Sequence, residues 1–309
     1  YEFFGGDCTY CIFPHEVMEL GALMPYEAQF FEASLGEPMS CIIGGYHANY
    51  HTNKHNYNHA MGTKEGGNII ILGGCGPMGL GAISYGINFE NKPKRIVVTD
   101  INDARIARAK EVVSPEYAAQ HGVELIYVNT SNMDTAYDEL MALTEASYDD
   151  VFVYTPIRAV AELGNRLLAF DGCLNFFSGP TDKNFSADIN LYDCHYTSTH
   201  IMGTTGGNND DLIEANTLAA KGIIDPAVMI THVAASIASL KRHSTCQKSQ
   251  VAKNWLYPVQ YAHDRHRDFA NIGEKDPFFL ELDKCCKAHK GLWNAEAEKM
   301  ILKHFNVEI

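Results

Sequence analysis

The chain has 309 residues, 46% of them hydrophobic, and a formal charge of −14 at pH 7. That is apolar material for one large domain or two ordinary ones with a sizeable core. The acidic balance argues against a nucleic-acid partner and against an electrostatic membrane surface; with no apolar stretch of transmembrane length and no signal-peptide pattern, the chain reads as soluble and cytoplasmic.

Residues 1–36 read as short strands and turns. Cys8-x-x-Cys11 has the spacing of a redox or zinc motif, but without a second such pair it reads as coincidence. A helix is expected from about Pro38 to His51, with Met39, Ile42, Ile43, Tyr46 and Tyr50 as its apolar stripe. His47, His51, His55 and His59 recur every four residues and would share one face of an unbroken helix. Thr52-Asn53-Lys54 and Asn56-Tyr57-Asn58 are poor helix formers, so this series reads as a helix end and a surface loop.

Asn68-Ile69-Ile70-Ile71-Leu72 reads as a parallel strand buried on both faces. It leads into Gly73-Gly74-Cys75-Gly76-Pro77-Met78-Gly79 and then a helix beginning at Leu80. Gly74-x-Gly76-x-x-Gly79 fits the dinucleotide fingerprint, whose glycines give a tight turn, close approach to pyrophosphate, and close packing of helix on strand. The helix start adds free N–H groups and a positive dipole end for the phosphates. A second run, Arg95–Thr99, ends at Asp100, 21 residues past Gly79, about where a ribose-binding carboxylate belongs. A carboxylate there repels a 2′-phosphate and favours NAD; Arg105, able to accept that phosphate, keeps NADP open.

Further apolar runs lie at 123–128, 151–154, 173–177 and roughly 197–202, with helical patterns over 134–146 and 158–170. Strand–helix alternation of this kind predicts a doubly wound α/β domain with six parallel strands. Thr155, Ser178, Gly203 and Thr204 end the last three strands at the carboxyl edge, where ligands bind in such sheets; glycine turns that merely close the chain are an equal reading. His195 and His200 flank the sixth strand, where either could face a nicotinamide, and a structural role is the favoured reading for each. A helix follows over Asn208–Lys221, then an apolar edge strand at Ala227–Ile230, a loop-rich stretch, and helices starting near Pro277 and Asn294. Cys41, Cys75 and Cys173 read as buried reduced thiols, and Cys285-Cys286 as core on one side of a helix.

Several segments resemble the medium-chain, zinc-containing alcohol and polyol dehydrogenases. Gly5-Gly6-Asp7-Cys8-Thr9-Tyr10 is similar to their Gly-Gly-x-Ala-Glu-Tyr, and Glu37-Pro38-Met39-Ser40 to their Glu-Pro-Leu-Ser. Gly-Pro-Met-Gly-Leu-Gly at 76–81, Asp171–Asp182 and Gly291–Glu298 resemble the L-sorbose-1-phosphate reductase branch. The resemblance implies hydride transfer between NAD(P) and a polyol or ketose, sugar phosphates included, with Thr155, Ser178, Gly203 and Thr204 near ribose and nicotinamide. It implies a homo-dimer or tetramer built through edge strands. It also implies a catalytic zinc in a full-length parent, with Glu37 as a ligand or a neighbour of the metal. The remaining ligands are expected upstream of Tyr1, since no Gly-His-Glu occurs in the chain. The chain accordingly reads as truncated: 1–44 the remnant of a GroES-like catalytic domain, 45–225 the Rossmann domain, 226–309 the return to the catalytic domain. A zinc-free reductase of the quinone-reductase type and a catalytically silent nucleotide-binding module remain as alternatives.

Overall fold

A computed structural model describes residues 11–52, 56–235, 254–257 and 269–306. Cys8, the Gly5–Tyr10 segment and His55 lie outside the described residues. The chain divides into two compact units, residues 36–225 and the segments on either side of them.

In the larger unit, helix α3 (Gly36–Ala48) leads into an antiparallel pair, β1 (Tyr50–Thr52) and β2 (His59–Met61). The expected helix to His51 therefore stops at Ala48, and Tyr50 and His51 are strand residues. Six strands follow: β3 (Asn68–Leu72), β4 (Arg95–Asp100), β5 (Glu124–Asn129), β6 (Tyr148–Val153), β7 (Leu168–Phe176) and β8 (His200–Met202). They form one all-parallel sheet in the order β5-β4-β3-β6-β7-β8. Its central strands are apolar on both faces because helices cover both: Ile69–Ile71, Ile96–Val98 and Val151–Val153 are wholly buried. The chain leaves β3 toward β4 and β5, then returns to the other side of β3 with β6, so the sheet reverses its winding at the end of β3. Such a switch point opens a crevice at the carboxyl edge.

Helix α4 (Pro77–Asn88) follows β3, and α3 packs against it. The Tyr46 hydroxyl donates to the Ala82 carbonyl at 2.9 Å, and the Tyr46 ring stacks on Phe152 at 4.8 Å. Only glycine at 86 permits this approach, since a Cβ there would stand 2.5 Å from the Tyr46 hydroxyl. A short helix, Leu191–Tyr196, precedes β8, where sequence periodicity gave no helix.

In the flanking unit, α1 (His15–Glu19) and α2 (Phe30–Ser34) are the regular elements among residues 11–35, in place of the expected strands. Glu298, on the helix Ala295–His304, is almost fully buried and accepts the Phe30 and Phe31 N–H groups at 3.2 Å each, where a carboxylate suits the helix start. Pro226–Met229 is a 3-10 turn and not the expected edge strand; its residues are buried, led by a proline without a donor N–H. Strands β9 (His232–Ala235) and β10 (Asn254–Tyr257) pair in parallel, and Trp293, Phe269 and Phe279 form an aromatic core.

Candidate functional site

The glycine loop leaves β3 at the switch point. The Thr99 hydroxyl and carbonyl accept the Gly73 and Gly74 N–H groups at 3.2 and 2.8 Å, tying the loop to β4. Gly73 has φ +72, a left-handed conformation that other residues seldom adopt. The three fingerprint glycines differ in what surrounds them. A Cβ on Gly74 would press on Ile71 and Val98 at 2.7 and 2.8 Å, and one on Gly79 would meet the Gly74 backbone, its carbonyl carbon at 2.5 Å. A Cβ on Gly76 would meet nothing within 4 Å. The fold thus accounts for Gly74 and Gly79 but not for Gly76, whose bare backbone faces open space where a pyrophosphate would lie. Gly76 caps α4 and Pro77 occupies its first position, where a missing N–H costs nothing. The Met78 and Gly79 N–H groups lack a carbonyl four residues back inside the helix, which leaves them at its positive end.

Asp100 ends β4 and is buried, one oxygen accepting the Asn102 N–H at 3.0 Å and the other lying 3.9 Å from the Arg105 guanidinium. Carboxylate and guanidinium thus stand together where the ribose and any 2′-phosphate would be read. Burial, reinforced by Asp100, pushes the Cys75 thiol up to about 12, so the cysteine inside the loop stays protonated.

Farther along the same edge, Thr155 packs beside Gly73, and the Ser178 N–H and hydroxyl both donate to the Val153 carbonyl, at 3.1 and 2.8 Å. Gly203 and Thr204 follow β8. The Thr204 hydroxyl oxygen and the Tyr154 hydroxyl are buried without a hydrogen-bond partner. The Tyr154 ring stacks on Phe177 at 4.4 Å, and Phe177 and Thr204 both border Gly45 of α3. Buried polar atoms normally find a partner, and these two without one stand at the carboxyl edge. Sequence reasoning missed Tyr154 and Phe177. It also missed Ile101 and Ile157, exposed apolar side chains just beyond β4 and β6, at 65% and 50% exposure. An apolar residue directly after the strand-ending Asp100 was the available signal for the first.

Glu37 lies in the first turn of α3, exposed, where the Cys41 thiol donates to it at 3.3 Å. Cys41 is half-exposed, not buried as expected, because α3 turns it toward Glu37 and not into the core; Cys75 and Cys173 are buried. Among the described residues no three His, Cys, Asp or Glu side chains stand together as a metal ligand set. The periodic histidines are dispersed: His47 bonds Asp211 at 2.8 Å, His51 lies in β1, and His59 stacks on Tyr50. His200 starts β8, bonded to Asp171 at 2.8 Å, away from the cofactor edge, and His195 packs edge-on to Tyr196. Among the described residues no helix is long and apolar enough to cross a membrane.

The family model described as zinc-binding dehydrogenase matches residues 77–221. Over its whole length the chain is 45% identical to a mannitol-1-phosphate 5-dehydrogenase of Aliivibrio fischeri, of which it covers 74%. With 97% of its length it is 38% identical to an L-sorbose 1-phosphate reductase of Klebsiella pneumoniae, covering 70% of that protein. Among solved structures, the 2R,3R-butanediol dehydrogenase of Bacillus subtilis superposes with a TM-score of 0.58 at 16% identity, over 76% of this chain. The match spans 60% of that structure, a likeness of fold.

Proposed function

The chain belongs to the zinc-binding dehydrogenase family, and from that premise we propose that it binds NAD(P) along the carboxyl edge of its sheet. It serves an oxidoreductase that moves a hydride between that cofactor and a polyol or ketose. Phosphorylated hexitols and ketoses are the favoured substrate class, because the relatives at 45% and 38% identity are named for mannitol 1-phosphate and L-sorbose 1-phosphate. The observation that carries the reading is the contrast within the glycine loop, open over Gly76 and closed at Gly74 and Gly79.

When bound, the nicotinamide supplies the hydride acceptor or donor. The chain's own residues bind and orient it. Gly76 leaves room for the pyrophosphate, and the Met78 and Gly79 N–H groups face its charge. Asp100 accepts from the ribose hydroxyls, which favours NAD, while Arg105 beside it offers a partner to a 2′-phosphate. Ile101 and Ile157 flank the adenine. Thr155, Ser178, Gly203 and Thr204, joined by Tyr154, line the nicotinamide end, where the free Tyr154 and Thr204 hydroxyls suit a carboxamide. Glu37 is the residue of this chain assigned to metal. No ligand set stands around it among the described residues.

The proposed setting is the cytoplasm, with a small-molecule substrate and no nucleic acid. The favoured assembly is a dimer or tetramer joined through β8, an outer strand of the sheet carrying the exposed Ile201. The test has two parts: NADH and NADPH fluorescence titrations, and turnover with mannitol 1-phosphate and L-sorbose 1-phosphate. Absence of nucleotide binding refutes the reading. Because no metal ligand set stands among the described residues, nucleotide binding without turnover fits both the silent nucleotide-binding module and a zinc-assisted activity that needs ligands beyond them.

A further inference from the structure

At the amino ends of β6, β7 and β8, opposite the cofactor edge, the β1–β2 hairpin is fastened by a buried ionic network. Asp150 is wholly buried, and its oxygens accept from Asn49 Nδ2 at 2.7 Å and the Lys64 N–H at 2.9 Å. His51 Nε2 stands 3.3 Å from both Asp150 oxygens, and its Nδ1 stands 2.9 Å from the Asp171 carbonyl. Carboxylates and carbonyls only accept. A neutral imidazole donates from one nitrogen alone, so both contacts are hydrogen bonds only if the ring carries both protons. Asp171 adds a second fastening: its carboxylate accepts the Thr52 N–H and hydroxyl and His200 Nε2. It does so from φ 60, a strained conformation for a non-glycine residue that the surrounding bonds hold in place.

We propose that His51 is a built-in cation and that the β1–β2 hairpin is a pH-sensitive clasp, closed across β6, β7 and β8 while His51 holds both ring protons and opening when one is lost. Titratable and charged groups surround it on every neighbouring element. From β6 come Asp150 and Asp149, the latter paired with Lys64; from β7, Asp171 and Cys173; from β8, His200; from α3, Tyr46; and from the hairpin, Tyr50 and its stacked neighbour His59. Burial holds Tyr46 and Tyr50 above the ordinary phenol range and pushes Cys173 up to about 12, so these three stay neutral. His200 satisfies Asp171 with one ring proton, and the Thr52 bonds do not titrate near neutrality, so His51 alone needs its charge to keep its contacts.

Burial alone would drive the His51 ring neutral, but the bonds and charges of Asp150 and Asp171 outweigh it, and the cation persists above its usual range. For a raised value the sign is fixed. The stabilisation is fully present below about 6.5, the unfolded value, and is lost as pH rises through the folded one.

The experiment is a pH titration of the unmodified chain by imidazole ¹⁵N NMR together with amide hydrogen exchange, normalised to intrinsic rates. Both His51 nitrogens should give predominantly imidazolium signals at pH 6.5, with a midpoint above about that value. Protection of Tyr50–Thr52 and His59–Met61 should fall as pH rises from about 6.5 to that midpoint, about tenfold in all for each unit the midpoint stands above 6.5, while β3 stays protected. An unprotonated His51 nitrogen at pH 6.5, or hairpin protection that does not follow the His51 titration, overturns the proposal. His51→Gln, which has one side-chain donor group, should leave hairpin protection flat across the range. Wild-type pH dependence in that variant would place the clasp on another group, and the unmodified titration decides the matter whatever the variant's stability.

Discussion

Replacing Gly76 and Gly79 separates the demands of the fold from those of the ligand. Gly76 has φ −85 and ψ 172, an extended conformation open to any residue, and a Cβ there meets nothing within 4 Å. Gly76→Val therefore costs the fold little more than a poorer helix cap, about 1 kcal/mol or less. That lowers Tm by no more than about 4 °C in a domain of this size. The same valine fills the space over the loop, so NADH affinity should fall at least about tenfold, or about 1.4 kcal/mol. Gly79→Ala has the opposite profile. Its Cβ would stand 2.5 Å from the Gly74 carbonyl carbon, and no side-chain rotation relieves a clash with backbone. A cost of about 3 kcal/mol, at the top of the usual range for overpacking, lowers Tm by roughly 6–12 °C. Thermal melts and NADH fluorescence titrations of both variants read the two effects separately. Gly76→Val binding NADH as tightly as the parent would refute the placement of the pyrophosphate, and Gly79→Ala melting with the parent would refute the packing argument.

Asp100→Ala should narrow the gap between NADH and NADPH, since it removes both a ribose acceptor and a charge facing the 2′-phosphate; parallel titrations check this, and tighter NADPH binding by the parent would shift the assignment to Arg105. Dialysed protein should carry well under one zinc per chain by elemental analysis, because a catalytic zinc takes about three protein ligands and Glu37 stands without a ligand set among the described residues. Stoichiometric zinc would show that the ligands have been misassigned. Sedimentation at micromolar concentration should find a dimer or larger assembly, and Ile201→Lys on the outer strand should shift it toward monomer.

The sheet was legible because parallel strands covered on both faces must be apolar throughout, so 68–72, 95–99 and 151–153 stand out as continuous runs. What escaped lacked such a signal. β1 and β2 have three residues each, with histidine and tyrosine where an apolar alternation would be sought. The helix Leu191–Tyr196 buries no residue and so shows no stripe. Ala227–Ile230 had the composition of a strand, but the chain around it makes a buried 3-10 turn, where burial and not pairing selects apolar residues. At the candidate site, the glycine loop and Asp100 were located by spacing, and the strand-ending residues by where the apolar runs stop. The orphaned hydroxyls of Tyr154 and Thr204 could not be read in this way, since a partnerless buried atom is a property of packing. The dispersal of the periodic histidines was legible, because the poor helix formers at 52–54 and 56–58 end the helix on which period four would carry meaning.

In the proposed complex a dinucleotide lies across the carboxyl edge from the glycine loop to the end of β8. Amide chemical shifts of the isotope-labelled chain, followed through an NADH titration, test it most directly. Saturable shifts are expected at Gly74–Gly79, Asp100–Ile101, Thr155–Ile157, Ser178 and Gly203–Thr204, with the β1–β2 hairpin at the opposite edge unmoved. Saturable shifts confined to other surfaces, or none at millimolar NADH, would contradict it.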